Sequence, residues 1–219
     1  MLRKILCFGD SLTAEHNHKT WPSRISDYLK IGHINFAVPA SSNALQIKKW
    51  QNYVSQHEVG AQDIVIWQIT FTLRHHRCIS NKLTIHRPYL DNLKIGNYDT
   101  HVNYFDNCQR YNLLSNFPMQ ANDVDEAETL EDIAYTLKVA RKHTQNVLVF
   151  FGWDEVIPDQ YQDKFIDFLS FNTIKFVRQS LVSFSRENNF AFDSELHPVP
   201  EAGNAYADRC LLPVLLSVK

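Results

Sequence analysis

The chain has 219 residues, 44% of them hydrophobic and 21% charged, enough for one domain that buries a sizeable core. Its formal net charge of −2 gives no bulk electrostatic reason to bind nucleic acid or an anionic membrane surface. No apolar run approaches the ~20 residues needed to span a bilayer, and Met1 to Asp10 lacks a secretory apolar region with a cleavage site. The cysteines, Cys7, Cys78, Cys108 and Cys210, are scattered without metal or disulfide spacing. These features predict a cytoplasmic protein with no membrane span and no nucleic-acid partner.

Ile5 to Phe8 is a short apolar run closed by Gly9, which predicts a buried strand. Trp21, Ile25 and Leu29 come next at helical spacing, with Pro22 in the first turn where a missing N–H costs nothing. Ile34 to Val38 predicts a second strand, stopped by Pro39. Asn43 to Tyr53 predicts a helix with Leu45, Ile47 and Trp50 apolar and Ser42 or Asn43 as cap. Asp63 to Gln68, containing Ile-Val-Ile-Trp, predicts a third strand. Residues 71 to 122 show little periodicity, and a structureless loop of that length is improbable in a compact domain. They read as an insertion of irregular or short elements, a lid or an oligomer contact. Asp123 to His143 predicts a long helix with an apolar stripe at Leu130, Ile133, Ala134, Leu137 and Ala140. Val147 to Phe151 predicts a fourth strand, Gln160 to Leu169 a helix, Ile174 to Val177 a fifth strand, and Ala205 to Leu216 a closing helix. Strands alternating with helices imply a parallel sheet covered on both faces.

Two short motifs can carry chemistry. In Phe8-Gly9-Asp10-Ser11-Leu12-Thr13 a serine succeeds the first strand at the carboxyl edge of the sheet, where open α/β folds place ligands. In Asp193-Ser194-Glu195-Leu196-His197-Pro198 a histidine precedes the last helix with carboxylates close by. A serine hydroxyl needs an adjacent base, an imidazole suits that role, and a carboxylate fixes the imidazole tautomer. Each motif alone also reads as an ordinary turn or cap. Arg74, His75, His76, Arg77, Cys78, His86 and His101 match no standard metal spacing. They read as a solvated polar segment, with Arg74 alternatively available to an anionic substrate. Trp153, after the fourth strand, reads either as a stacking platform for a sugar ring or as a packed rim residue.

Taken together, Gly-Asp-Ser after the first strand and Asp-…-His-Pro before the last helix resemble the SGNH, or GDSL-type, hydrolases. The resemblance runs from residue 3 to about 70 and from about 145 to the end. It implies a single three-layer, flavodoxin-like α/β domain, with a central five-stranded parallel sheet, helices on both faces and the insertion at about 71–122. It further implies Ser11 as nucleophile and His197 as base. The family's second block, Asn-x-x-x-x-Gly, aligns with Asn35 to Ala40, so Ala40 stands where the glycine N–H serves the oxyanion. The third block, Gly-x-Asn-Asp, is replaced by Gln68-Ile69-Thr70-Phe71-Thr72. Thr70, or Gln68, is then the candidate donor in place of the asparagine. The family places its aspartate three residues before the histidine, where Ser194 stands here; Asp193 and Glu195 flank it, and Asp193 is preferred because it comes after the strand-like Phe190-Ala191-Phe192.

The resulting expectation is a serine esterase or O-deacetylase that needs no cofactor and acts on a small-molecule ester, an acylated carbohydrate in particular. Ser11, His197 and Asp193 are its catalytic set, and Ala40 and Thr70 help hold the oxyanion. The alternatives are an SGNH-fold binding or assembly protein without turnover, and an acyltransferase using the same Ser/His pair.

Overall fold

The computed structural model describes residues 3–15, 18–39, 41–70, 75–79, 82–86, 123–154, 156–157, 159–194 and 196–217, with 75–79, 82–86, 123–129 and 159–160 described as backbone. Five strands, β1 (Ile5–Phe8), β2 (His33–Asn35), β3 (Ile64–Ile69), β6 (Asn146–Phe151) and β7 (Lys175–Val177), form one sheet in the order β2-β1-β3-β6-β7. Every pairing in it is parallel. The helices are α1 (Trp21–Leu29), α2 (Asn43–Gln56), α3 (Asp123–His143), α4 (Asp159–Phe171), α5 (Leu181–Glu187), α6 (Pro200–Tyr206) and α7 (Leu212–Leu216). Within the segment expected to hold irregular or short elements, β4 (His75–Ile79) and β5 (Lys82–His86) pair as an antiparallel hairpin.

The central strands are apolar on both faces because both faces are covered. Alternation along each strand divides their side chains between two cores. Leu6, Phe8, Val65, Trp67, Ile69, Val147, Val149 and Phe151 pack with α2, α3 and α4, around Trp50, Ile133, Leu137 and Leu169. Ile5, Cys7, Ile64, Ile66, Leu148 and Phe150 pack on the opposite face with Trp21, Ile25, Phe184, Tyr206 and Leu211. Cys7 is a buried member of that core, and burial pushes its thiol well above the ordinary range, so it behaves as a small apolar residue.

The strand register sets the place of the site. Phe8 lies beside Trp67, and Gln68 and Ile69 lie beside Phe150 and Phe151. The carboxyl ends of β1, β3 and β6 therefore reach one rim together. That brings Gly9 to Ser11, Gln68 to Thr70, and Gly152 to Trp153 into contact.

Three local features differ from the sequence expectation. The ladder of β2 ends early, yet Phe36 N still donates to Cys7 O at 2.8 Å and Val38 N to Gly9 O at 3.4 Å, so the chain keeps to the side of β1. The seven residues of α5 are too few to show a helical period; Ser180 caps them by accepting from Ser183 N at 2.9 Å. The closing helix begins at Pro200 and passes through a π turn, Ala207–Leu211, before α7. Pro213 accounts for the turn, since it brings no N–H to the ladder and its ring clashes with the carbonyl four residues back.

Between β1 and α1 the Glu15 carboxylate replaces a missing cap. Thr20 makes no side-chain cap bond to α1. Instead Glu15 Oε1 accepts from Thr20 N at 2.9 Å and Ser23 N at 3.1 Å, while Oε2 meets His33 Nε2 at 3.0 Å. Burial pushes the Glu15 carboxyl up, but the bonds from Thr20, Ser23 and His33 outweigh it and hold the group below its ordinary range.

Candidate active site

Ser11 sits in the turn directly after β1. Its Oγ lies 2.9 Å from His197 Nε2. The turn is built on Asp10. The Asp10 carbonyl accepts from Thr13 N at 3.0 Å and Ala14 N at 2.9 Å, and its Oδ1 accepts from Leu12 N at 3.1 Å. Three successive amides are thereby used, while the Ser11 N–H has no hydrogen-bond partner among the described residues.

His197 is presented by a closed loop. Asp193 N donates to His197 O at 2.9 Å, Val199 N to Ala191 O at 3.1 Å, and Phe192 bridges Pro198. Inside the loop Leu196 is left-handed, with φ 63°, a conformation that costs an L-residue roughly 1–2 kcal/mol. That kink accommodates four-residue spacing between acid and base. Asp193 works through both oxygens. Oδ1 accepts from His197 N at 2.9 Å, and Oδ2 lies 3.5 Å from His197 Nδ1. The second distance exceeds that of a formed hydrogen bond, and the Asp193 side chain is 53% exposed while that of His197 is 19% exposed.

Behind Ser11 the Asp10 carboxylate is fully buried. A buried charge survives only when its lone pairs are filled, and here Leu12, Gln68, Thr70 and Trp153 donate to them. Oδ1 accepts from Leu12 N and, at 2.7 Å, from Gln68 Nε2; Oδ2 accepts from Thr70 Oγ1 at 2.9 Å and Trp153 Nε1 at 2.8 Å. The other end of the Gln68 amide is also used. Its Oε1 accepts from Asp10 N at 3.2 Å and Thr13 Oγ1 at 2.5 Å.

Gln68 runs between two glycines. A Cβ on Gly9 would stand 2.1 Å from Thr13 Oγ1 and 2.6 Å from Gln68 Oε1; one on Gly152 would stand 2.0 Å from Gln68 Nε2. Both glycines are required by this close approach. The buried Asn43 at the start of α2 fixes the strand end itself, donating to Thr70 O at 2.9 Å and accepting from Thr70 N at 3.1 Å.

These bonds correct the donor assignment. The Thr70 hydroxyl has one proton, and it is directed at Asp10. The Gln68 amide gives one N–H to Asp10 Oδ1, and its oxygen accepts from Asp10 N and Thr13 Oγ1. Trp153 is likewise turned inward, its N–H on Asp10 and its ring 5.4 Å from the His197 ring at 60°. Ala40 and Glu195 lie outside the described residues, as does most of 71–122, including Arg74 and His101. Asp10, absent from the predicted set, is the organising group. Its three side-chain donors, Gln68, Thr70 and Trp153, stand at the ends of strands that only the sheet order makes neighbours.

A cleft of about 490 Å³ opens beside Ser11 and His197, walled by Leu12, Ala14, Pro39, Leu181 and Val199, and no lysine or arginine among the described residues lines it.

No family model matches the sequence, and the comparison with curated proteins finds no match. Solved structures do. The chain is similar to a member of the lipolytic protein G-D-S-L family from Veillonella parvula, with TM-score 0.55 and 12% identity over 94% of this chain and 95% of that one. It is similar to a single-substitution variant of Axe2, an acetyl xylan esterase from Geobacillus stearothermophilus, with TM-score 0.56 and 14% identity over 99% and 97%. TesA gives TM-score 0.52 and 13% identity over 98% of each chain. The fold is that of the SGNH/GDSL-type hydrolases. At such identities the likeness concerns the SGNH fold, and the chemistry rests on the site described above. No helix among the described residues is long and apolar enough to cross a membrane.

Proposed function

We propose that this SGNH-fold protein is a serine esterase, a carboxylic ester hydrolase acting on a small ester. The observation that carries the reading is the 2.9 Å contact between Ser11 Oγ and His197 Nε2, the reach a nucleophile and its base require. Ser11 Oγ attacks the ester carbonyl carbon as its proton passes to His197 Nε2. The C=O electrons move to oxygen, and the oxyanion is held by the Ser11 N–H and, by resemblance, the Ala40 N–H. Collapse breaks the bond to the alkoxy oxygen, which takes the proton from His197. Water, deprotonated by His197, then attacks the acyl-enzyme and releases the carboxylic acid and Ser11. Asp193 faces Nδ1 and stabilises the imidazolium. Backbone donors carry the oxyanion, since Thr70 and Gln68 serve Asp10 instead.

The substrate is an ester that fits a cleft whose described wall is largely apolar, with His18 and Asp193 among its lining. A sugar acetate satisfies that condition, although Trp153 stands outside the described wall of the cleft. One observation favours the second reading, a binding protein without turnover. The Thr70 hydroxyl spends its one proton on Asp10 and Gln68 spends one N–H there, and one missing donor is worth ~10²–10³ in rate.

Intact-mass measurement after treatment with a fluorophosphonate, alongside p-nitrophenyl acetate hydrolysis, separates the two. The esterase reading expects one phosphonyl adduct and turnover in the native protein, both absent in Ser11→Ala. A native protein that neither labels nor hydrolyses is the binding protein.

A further inference from the structure

We infer that Trp153 is a positioning residue for His197, anchored in that role by Asp10. The inference rests on the reading of Ser11 and His197 as nucleophile and base.

An imidazole on a loop can swing about its side-chain torsions, so its catalytic pose needs constraints on more than one side. The Nε2 edge of His197 meets a hydroxyl, Ser11 Oγ. The Nδ1 edge faces Asp193 at 3.5 Å, and that carboxylate is 53% exposed, open to competition from water. Neither contact fixes the plane of the ring. Trp153 supplies a wall. Its ring centroid lies 5.4 Å from that of the imidazole at 60°, within the range of favourable aromatic pairs.

A wall is useful only if it cannot move, and the indole is held at its far end. Nε1 donates to Oδ2 of the fully buried Asp10 at 2.8 Å, the same carboxylate that sets the Ser11 turn. Rotating the indole away would strip a donor from Oδ2, a costly loss for a buried carboxylate. The preceding residue is fixed as well, because Gly152 O accepts from Val182 N at 3.2 Å and Gln68 occupies the space beside its Cα. One carboxylate therefore locates both partners of the catalytic pair, Ser11 through the backbone and His197 through the indole. When His197 takes the serine proton, the imidazolium forms within about 6 Å of an indole ring, the range of cation–π attraction.

The test uses the full chain with Trp153→Phe, which keeps an aromatic wall but removes the tether, and Trp153→Leu, which removes both. Steady-state kinetics on p-nitrophenyl butyrate, the rate of Ser11 phosphonylation and the thermal midpoint are measured for each folded variant. NMR relaxation of the His197 Cε1–H, assigned through His197→Gln, reports ring order without any need for turnover. We expect kcat to fall roughly tenfold in the Phe variant and roughly a hundredfold in the Leu variant, the scale of a misplaced catalytic group. KM should stay within about twofold, phosphonylation should track kcat, and ring order should fall in the same sequence. Unchanged kcat and ring order in Trp153→Leu would overturn the inference, and Trp153 would be a packing residue. A raised KM at unchanged kcat would also overturn it, by making Trp153 a substrate contact. A native protein without turnover or phosphonylation overturns the esterase reading alone, and the order of the imidazole in the two variants still decides the role of Trp153.

Discussion

Gly152→Ala is the sharpest test of the buried network. A Cβ there would lie 2.0 Å from Gln68 Nε2, 2.7 Å from its Cδ and 3.1 Å from its Cγ, so the whole end of the side chain must retreat. Retreat pulls Nε2 off Asp10 Oδ1, now 2.7 Å away. Losing a hydrogen bond to a buried charge costs about 1.5–3 kcal/mol. Forcing a methyl into a filled core costs about 1–3 kcal/mol more. The sum, about 2.5–6 kcal/mol, converts to a fall in thermal midpoint of roughly 5–24 °C for a chain of this length. Urea denaturation monitored by circular dichroism measures it directly. Gln68→Ala in the same chain clears the space, so the double variant should lose much less than the sum of the two single losses, a coupling that non-contacting sites do not show. A midpoint within about 2 °C of the native protein, or strictly additive losses, would refute the claim that Gln68 requires Gly152.

Thr70→Val keeps the shape but removes a donor from Asp10. We expect a loss of about 1.5–3 kcal/mol in stability with kcat reduced less than about fivefold; a kcat loss of ~10²–10³ at unchanged stability would restore Thr70 to the oxyanion. Asp193→Asn should lower kcat by more than Glu195→Gln does, because Asp193 faces Nδ1 and holds the His197 amide; steady-state kinetics of the pair decide it, and a larger effect at Glu195 would reassign the acid. Glu15 is held below its ordinary value of 4.5, so the folded state binds its proton less readily than the unfolded chain. Its contribution is present above about pH 4.5 and is lost as pH falls through the lower folded value. Glu15→Gln should therefore show a shallower loss of thermal midpoint between about pH 5 and 3 than the native protein, and an unchanged acid limb would show that the network does not hold the proton off.

The central strands were readable because burial on both faces leaves short continuous apolar runs such as Ile5 to Phe8 and Ile64 to Trp67, bounded by glycine or polar residues. The long α3 was readable from its stripe. The helix α5 was not, since its seven residues take their place from packing against α6, with Phe184 on Tyr206, more than from a period of their own. Ser11, His197 and Asp193 were legible as residue types in two motifs, and the fold brings them within contact. The Asp10 network was illegible for a topological reason. Its donors come from strand ends separated by up to 143 positions, and only the order β1-β3-β6 makes them neighbours. The Thr70 assignment went astray at the same point, because a hydroxyl at a strand end looks available until the carboxylate beside it is known.

The loop that carries His197 also bears on how such a site can be altered. Asp193 closes the loop with one oxygen and faces the ring with the other. Moving the acid one position, to Ser194, would shorten its reach to the imidazole but remove the acceptor that holds the His197 amide. Loop length and acid position are thus a single design variable here. A graft from a three-residue loop must delete a residue and release the left-handed Leu196 in the same step, and exchanging Asp193 with Ser194 alone will report the collapse of the loop, not the contribution of the acid.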